Sequence, residues 1–197
     1  MKRFLILALV LMMALSLPTF ATTPAEPAGA AEASPTDDKI AQMAAVVQAT
    51  IDGEGYTSFL YDSSKARFSG AMSLDNGLKE ADVDIYLYDD SIAVYVTPSF
   101  KVDSASLDKM AVLTTLINWK EYYATVYMNY ENGTIMAGRM QNVESVLPTV
   151  DEMSVILHEP IWLVDDYGDS WLAVNSGTDP HEAYQAARDA IEARQAE

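Results

Sequence analysis

The stretch EYYATVYMNYENGTIMAGRMQN, residues 121–142, decides the fold class because it has the pattern of a β-hairpin. Two alternating runs meet at Asn132-Gly133, and both residues tolerate the positive φ angles that a two-residue type I′ turn requires. The register predicted from this turn pairs Tyr130 with Ile135, Met128 with Ala137, and Val126 with Arg139. The hairpin indicates that the fold is built around an antiparallel β-sheet.

The two faces of this hairpin differ in composition, because successive side chains of a strand point to opposite sides. One face is mostly aliphatic and is predicted to face the core: Ala124, Val126, Met128, Tyr130, Ile135 and Ala137. The other face is amphipathic and carries no charge: Tyr123, Thr125, Tyr127, Asn129, Met136 and Met140.

Length and composition indicate one folded domain with a negative surface. The chain has 197 residues, of which 50% are hydrophobic, a fraction too high for a disordered protein. It contains no cysteine, so disulfides and thiolate metal sites are excluded. Its formal net charge of −17 repels phosphate backbones and anionic lipid, so we expect no nucleic-acid partner.

The N-terminal residues 1–21 have the pattern of a secretory signal peptide. Lys2 and Arg3 precede an apolar run over residues 4–17, which is short for a membrane-spanning helix, and Thr19-Phe20-Ala21 is an acceptable cleavage site. We therefore expect an exported protein, periplasmic or secreted, with no membrane span after cleavage. The alternative is an uncleaved anchor.

The rest of the chain divides into a linker and one domain. Residues 22–37 are rich in alanine, proline and threonine without an apolar period, which predicts a flexible tether. Residues 38–197 have the patterns of an α+β domain with an antiparallel sheet and the order α-βββ-α-ββ-α(α). The predicted elements are a helix over residues 38–51, strands between residues 56 and 100, a helix over residues 104–119, the hairpin, and C-terminal helices that Pro160 kinks or breaks.

Sequence signals also mark the starts of the C-terminal helices. Thr149 and Glu152 have the spacing of a capping box, and Asp179-Pro180 has the cap and first-turn proline of a last helix. The last helix is predicted to dock through small side chains: Ala183, Ala186, Ala187 and Ala190.

The predicted helix over residues 104–119 is apolar on two sides. One stripe, which is predicted to cover the sheet, consists of Leu107, Met110, Ala111, Thr114 and Ile117. A second stripe consists of Val112, Leu113 and Leu116. The second stripe predicts a dimer interface, and the alternative is a central helix buried on both sides within one monomer.

The element order and several segments resemble the YbjN family, a bacterial family whose fold is similar to that of type III secretion chaperones. The resemblance covers residues 38–195 and is carried by LINW at 116–119, the hairpin at 127–140, LVDDYGDSWLAV at 163–174 and DPHEAYQAA at 179–187. It implies a type III secretion chaperone-like fold and a dimerising, peptide- or protein-binding module rather than an enzyme. Many relatives of this kind are cytoplasmic, whereas this chain has an export signal, which argues against a role in a cytoplasmic secretion apparatus.

The candidate binding residues are the tyrosines and methionines opposite the aliphatic side of the predicted sheet: Tyr86, Tyr88, Tyr95, Tyr123, Tyr127, Met136 and Met140. Tyrosine offers a large contact area with little rotamer entropy, and methionine adapts its shape. This composition suits an apolar or extended polypeptide partner. The alternative is that tyrosine simply favours strands and that a helix or subunit covers this face, as in a structural or envelope-maintenance protein.

Catalytic and metal sites are not indicated. Asp165-Asp166 and Asp89-Asp90 are adjacent pairs whose side chains point apart, whereas acid–base chemistry needs two carboxylates aimed at one reacting atom. The only histidines, His158 and His181, do not have the spacing of a zinc pair. We therefore expect no cofactor and place an enzyme third among the functions.

Overall fold

Four α-helices and six strands form an α+β fold over residues 35–196, the part of the chain that the computed structural model describes. The helices are α1 (Pro35–Gly53), α2 (Leu107–Lys120), α3 (Val150–Asn175) and α4 (Pro180–Gln195), with a short 3₁₀ helix at Ser104–Ser106. The strands are β1 (Leu60–Asp62), β2 (Arg67–Ser73), β3 (Glu80–Leu87), β4 (Ser91–Pro98), β5 (Thr125–Met128) and β6 (Ile135–Asn142).

The strands form one open antiparallel sheet in the order β1-β2-β3-β4-β6-β5. The predicted α+β class is confirmed, but four strands rather than three precede α2. The additional strand is the three-residue β1, which pairs with the first residues of β2. The hairpin of β5 and β6 joins the sheet through β6, so β1 and β5 are the two edges.

The N-terminal predictions lie largely outside the described residues. The predicted signal peptide at residues 1–21 and most of the predicted linker at residues 22–37 lie outside the described residues. The last residues assigned to the linker are helical, because α1 begins at Pro35 rather than at Asp38. No helix in residues 35–196 has both the length and the hydropathy needed to cross a membrane.

The core lies between the sheet and the helices, as the apolar alternation predicts. Val83, Ile85 and Val94 are fully buried on one face of the sheet, and Met43 of α1 and Trp171 of α3 are fully buried in the same core. A fully buried side chain of this size contributes about 1.5–3 kcal/mol through the hydrophobic effect. This core fixes which face of each strand points inward.

The register of the hairpin differs from the prediction by two residues. Met128 pairs with Ile135, not with Ala137, and Asn129 N–H donates to the carbonyl of Thr134 at 2.8 Å. The loop is therefore longer than two residues, and only Gly133 has a positive φ (71°) within it. A shift of two residues keeps every strand side chain on its predicted face.

A contact from outside the hairpin explains the longer loop. The amide of Val102 donates to the carbonyl of Gly133 at 2.8 Å, and Lys101 bridges Thr134. A Cβ at position 133 would lie 2.3 Å from the carbonyl oxygen of Val102, so only glycine fits there. The segment at 101–102 therefore determines how the hairpin closes.

Of the two predicted effects of Pro160, a kink or a break, the break does not occur, because helix α3 is continuous through this residue. Its capping box is as predicted, because the Thr149 hydroxyl accepts from Glu152 N–H at 3.2 Å and Glu152 returns a bond to Thr149 N–H at 2.8 Å. Pro160 is buried, and packing around it outweighs the hydrogen bond that proline cannot donate.

The loop between β2 and β3 is fastened to α3 by a buried amide. The side chain of Asn76 donates to the carbonyl of Val164 at 2.7 Å and accepts from Leu78 N–H at 2.8 Å. Gly168 makes this contact possible, because a Cβ there would lie 2.4 Å from the Asn76 amide nitrogen. The sheet and α3 are therefore locked together away from the hairpin.

Helix α4 begins at its predicted cap and docks through part of its predicted face. Asp179 accepts from His181 N–H at 2.9 Å, as the cap predicts. Ala183 is buried and Ala187 packs against the core, as predicted, whereas Ala186 and Ala190 are exposed. Ile191 is also buried and extends the contact.

Candidate partner-binding face

The side of the sheet opposite the core carries six of the seven predicted binding residues, and we call these six the outer face: Tyr86, Tyr88, Tyr95, Tyr127, Met136 and Met140. Tyr88 is 45% exposed, Tyr127 44% and Met140 61%. Within residues 35–196, no helix covers these side chains. The predicted alternative, in which a helix of the same domain buries the tyrosines, does not hold for the described part of the chain.

The tyrosines of the outer face form one continuous row across three strands. Tyr86 stacks on Tyr88 with ring centroids 6.3 Å apart and meets Tyr95 edge to face at 6.0 Å. Tyr95 meets Tyr127 edge to face at 6.3 Å. Aromatic pairs in these geometries attract one another, so the row is a rigid surface rather than four independent side chains.

Gly138 of β6 shapes this row. It lies opposite Tyr95 on one side and Thr125 on the other. A Cβ at position 138 would lie 2.6 Å from the ring of Tyr95 and 3.1 Å from that of Tyr127. The missing side chain therefore leaves a shallow place on β6 in which the two rings come together.

Charged side chains border the tyrosine row on the β2–β3 side. Arg67 of β2 lies opposite Tyr86 of β3, and its guanidinium carbon is 5.2 Å from the centre of that ring. The same guanidinium donates to Asp84 Oδ1 from Nε at 3.0 Å and from Nη2 at 2.5 Å. The charge-assisted pair raises the pKa of Arg67, and its position joins a cation–π contact to an ion pair.

Tyr123 does not belong to the outer face, and its prediction as a binding residue there is wrong. Strand β5 begins only at Thr125, so Tyr123 precedes the alternation that would have placed it. It packs against the core on the helix side and lines a cleft with Trp162 and Asp166. Burial, followed by the nearby charge of Glu121, raises the pKa of its phenol.

The three residues predicted for a dimer interface are divided between core and surface. Leu113 is fully buried in the core with Met110 and Ile117, so it cannot contact a second subunit in this fold. Val112 is exposed and Leu116 is half-buried on the outer side of α2. At 3.6 residues per turn, Leu113 is rotated about 100° from Val112 toward the core, and Leu116 lies between these two positions.

Two exposed aromatic side chains lie at the C-terminal end of α2. Trp119 is 91% exposed, and Tyr122, just after the helix, is 95% exposed. Val112, Leu116 and Trp119 follow the spacing of one helix face, and we call these three residues the α2 surface. The extended backbone of Glu121 ends this spacing before Tyr122. Sequence reasoning missed both aromatic side chains as surface residues, although the spacing of Trp119 from Val112 contains the signal.

The free edge of the sheet at β5 is closed by a side chain. Asn118 of α2 donates from Nδ2 to the Val126 carbonyl at 2.9 Å, and its Oδ1 accepts from Val126 N–H at 2.8 Å. The amide thus replaces a neighbouring strand for the outward groups of Val126. An incoming peptide strand cannot pair there without displacing Asn118, which leaves the outer face as the accessible surface of this hairpin.

The histidine on α3 is held in a structural brace. His158 Nδ1 lies 2.8 Å from the backbone carbonyl of Ser154, which can only accept, so Nδ1 carries the proton. Nε2 is hydrogen-bonded to the Tyr56 hydroxyl at 2.9 Å, and the ring stacks on Trp162. Both nitrogens are thereby engaged in connecting α3 to the segment after α1.

The adjacent carboxylates of α3 are likewise structural. Asp165 Oδ1 accepts from the backbone N–H of Asp75 at 2.9 Å, and Asp166 pairs with Arg194 of α4 at 2.6 Å. Burial raises the pKa of both carboxyl groups, and these bonds partly oppose the shift. Each carboxylate has a different partner, and both line the cleft that contains Tyr123 and Trp162.

A buried network that sequence reasoning missed connects α4 to the segment after α2. The Glu121 carboxylate accepts from the Tyr167 hydroxyl at 2.7 Å and pairs with Arg188 at 3.2 Å. Tyr167 in turn stacks on Tyr184 with ring centroids 6.1 Å apart. These residues lie far apart in the chain, so no local pattern could have connected them.

Comparison with known proteins gives no relative from which a site could be transferred. No protein-family model matches the sequence, and no curated protein matches it either. Within residues 35–196 there is also no group of three histidine, aspartate or glutamate side chains arranged to hold a metal ion. The outer face is therefore the surface on which a functional argument can rest.

Proposed function

We propose that this protein is a non-catalytic, chaperone-like protein-binding module that buries an apolar or extended segment of a polypeptide partner against the outer face. The observation that carries the proposal is the row of contacting tyrosines, flanked by Met136 and Met140, in which Tyr88, Tyr127 and Met140 are exposed and the others half-buried. The residues opposite these on the same strands already form the core, so the row is not needed to close it.

The physical chemistry of these residues favours a polypeptide partner. Tyrosine has few rotatable bonds, so ordering its side chain on binding costs little entropy, and its hydroxyl can bond a partner's backbone. Methionine adapts to differently shaped apolar side chains. A rigid aromatic row with methionines beside it therefore fits a partner whose side chains vary in shape.

The finer identity that we propose is a YbjN-like protein with a type III secretion chaperone-like fold. The observed order of one helix, an antiparallel meander, a helix, a hairpin and two helices supports this proposal. The signal-peptide pattern at residues 1–21 supports export to the periplasm or the outside of the cell. In that location, the partner is another exported protein.

We also propose that the protein forms a homodimer through the α2 surface. An isologous contact in which the two α2 helices run antiparallel places Asp108 of one copy near Lys120 of the other, twice. The charges at the ends of α2 are thus complementary between copies, although the whole chain carries −17. Val112, Leu116 and Trp119 lie between these ends and supply the apolar contact.

Engineered cysteines test the dimer, because the natural chain has none. Thr115 is exposed in the middle of α2, where it should face its own counterpart across the two-fold axis. We expect Thr115→Cys to form a disulfide-linked dimer on mild oxidation, whereas Ser145→Cys, exposed elsewhere, should not. A monomeric wild-type protein in light scattering at every concentration contradicts this part of the proposal.

Binding of a hydrophobic probe tests the function of the outer face. Native protein should bind the neutral dye Nile red, and the double variant Tyr127→Ser/Met140→Ser should lose most of this binding. The matched control is Tyr130→Ser, because Tyr130 is also a tyrosine, 52% exposed, in the hairpin loop away from the row. All variants are first compared with wild type by circular dichroism and thermal unfolding.

The same dye experiment distinguishes the binding module from the structural alternative. Dye binding that the double variant loses and Tyr130→Ser keeps supports an open binding face. Native protein that binds no dye favours a structural or envelope-maintenance protein whose tyrosine row is covered in its working state.

A further inference from the structure

The charges on the outer side of the sheet are unbalanced. Among the strand residues on this side, the acidic side chains are Asp62, Glu80, Asp82 and Asp84, and the single basic side chain is Arg67. Arg67 pairs with Asp84, and Lys65 in the β1–β2 turn pairs with Asp62, so among these four the carboxylates without an ion-pair partner in residues 35–196 are those of Glu80 and Asp82. A partner that binds this row therefore meets a negative border.

Arg67 shows how this surface accommodates a cation. Its guanidinium lies over the Tyr86 ring and pairs with Asp84, while about a third of its side chain (31%) remains exposed. Contact with an aromatic face and contact with a carboxylate are thus satisfied together by one guanidinium. The protein itself supplies the cation at this position.

Asp82 lies two residues earlier on the same strand and on the same side. Its cross-strand neighbours are Ala71 and Thr97, and no lysine, arginine or histidine of residues 35–196 forms an ion pair with it. Thr97 lies on the same side of β4 as Tyr95, which leads to Tyr127. Asp82 is therefore an exposed carboxylate on the same side of the sheet, diagonal to Tyr95, with no cation paired to it among the described residues.

We infer that the polypeptide bound by the outer face is basic, and that one of its arginine or lysine side chains pairs with Asp82 while its apolar side chains cover Tyr95 and Tyr127. This inference rests on the proposed function and adds the chemical class of the partner. The net charge of −17 acts in the same direction, because it attracts a cationic segment and repels an acidic one.

Three matched peptides test the inference. The probe is a short peptide of alternating arginine and leucine, and the controls replace every arginine by citrulline, its neutral counterpart, or by glutamate. We expect the citrulline peptide to bind about three- to tenfold more weakly than the arginine peptide, which is the range for partly exposed ion pairs and cation–π contacts. The glutamate peptide should not bind measurably.

The variant Asp82→Asn identifies the carboxylate. It should weaken the arginine peptide about three- to tenfold and leave the citrulline peptide unchanged, and Asp89→Asn, an exposed aspartate in the β3–β4 turn, should change neither. Equal affinity for arginine and citrulline peptides, with both lost in Tyr127→Ser/Met140→Ser, overturns this inference but keeps the proposed function. Failure of the wild type to bind any of the peptides or Nile red overturns both.

Discussion

The two faces of the sheet are made by the same strands, yet the side chains on each face have different roles. In β3, Val83 and Ile85 are fully buried beneath the helices, whereas Asp84 and Tyr86, at the alternate positions, are only partly buried. The inner residues lose contact with water and stabilise the fold. The outer residues contact one another and remain available to a partner, so alternation along one strand separates stability from recognition.

The largest expected effect comes from emptying an inner position. Ile85→Ala should lower the free energy of unfolding by about 2–5 kcal/mol, because it leaves a cavity in a fully buried site. Tyr88→Ala on the outer face should cost at most about 1.5 kcal/mol, the value of one partly exposed aromatic pair. Urea unfolding followed by circular dichroism measures both, and equal losses contradict the division between the faces.

A second prediction concerns β5, the edge strand that carries Tyr127 of the outer face. Asn118→Ala leaves the N–H and carbonyl of buried Val126 without partners and should cost about 1–3 kcal/mol. Asn118→Asp should cost more than alanine at neutral pH, because it sets a carboxylate oxygen against the Val126 carbonyl. Thermal unfolding of the two variants shows which one is less stable. If Asn118→Ala is as stable as wild type, the amide does not close this edge.

A third prediction sharpens the comparison by changing the outer face alone. Gly138→Ala should displace the rings of Tyr95 and Tyr127 and weaken binding of the arginine–leucine peptide severalfold, with less than about 2 kcal/mol lost in stability. Gly53→Ala is the control, because a Cβ there meets nothing within 4 Å. Near-ultraviolet circular dichroism reports the tyrosine environment, and an unchanged spectrum with unchanged binding contradicts the role of Gly138.

The smallest expected effect is a pH dependence of stability that arises on the helix side of the sheet. Burial raises the pKa of Asp165 on the helix side above its unfolded value, so the folded state holds that proton more tightly. Its contribution is therefore most favourable below about pH 4 and is lost as pH rises through the raised pKa.

One aspartate variant isolates this effect. Asp165→Asn lacks the titrating carboxyl group but retains an oxygen for the Asp75 N–H. Its stability relative to wild type should therefore increase between about pH 4 and pH 7. Urea unfolding of wild type and variant at several pH values measures this change, and parallel pH profiles for the two proteins contradict the expected sign.

Local alternation was sufficient to predict the faces of the sheet, but not the details that depend on distant residues. The hairpin register depends on Val102 contacting Gly133, which no pattern within the hairpin contains. The position of Tyr123 depends on where β5 begins. The strand starts two residues after Tyr123, at Thr125, so the strand alternation does not determine the direction of the Tyr123 side chain.

Helices were predictable where their signals are local. The caps at Thr149 and Asp179 are side-chain bonds to nearby backbone, and both were found from sequence. The passage of α3 through Pro160 depends on surrounding packing, and the burial of Leu113 depends on which helix face meets the core. Tertiary contacts decide such features, so they appear only in the folded structure.

Methionine methyl NMR provides the most direct measurement, because methionines lie on both faces. Met136 and Met140 belong to the outer face, whereas Met43, Met110 and Met153 are fully buried in the core. Titration with the arginine–leucine peptide should shift the signals of Met136 and Met140 and leave the three buried methyl groups in place. Binding of the peptide without any shift of Met136 or Met140 would contradict the claim that the outer face holds the partner.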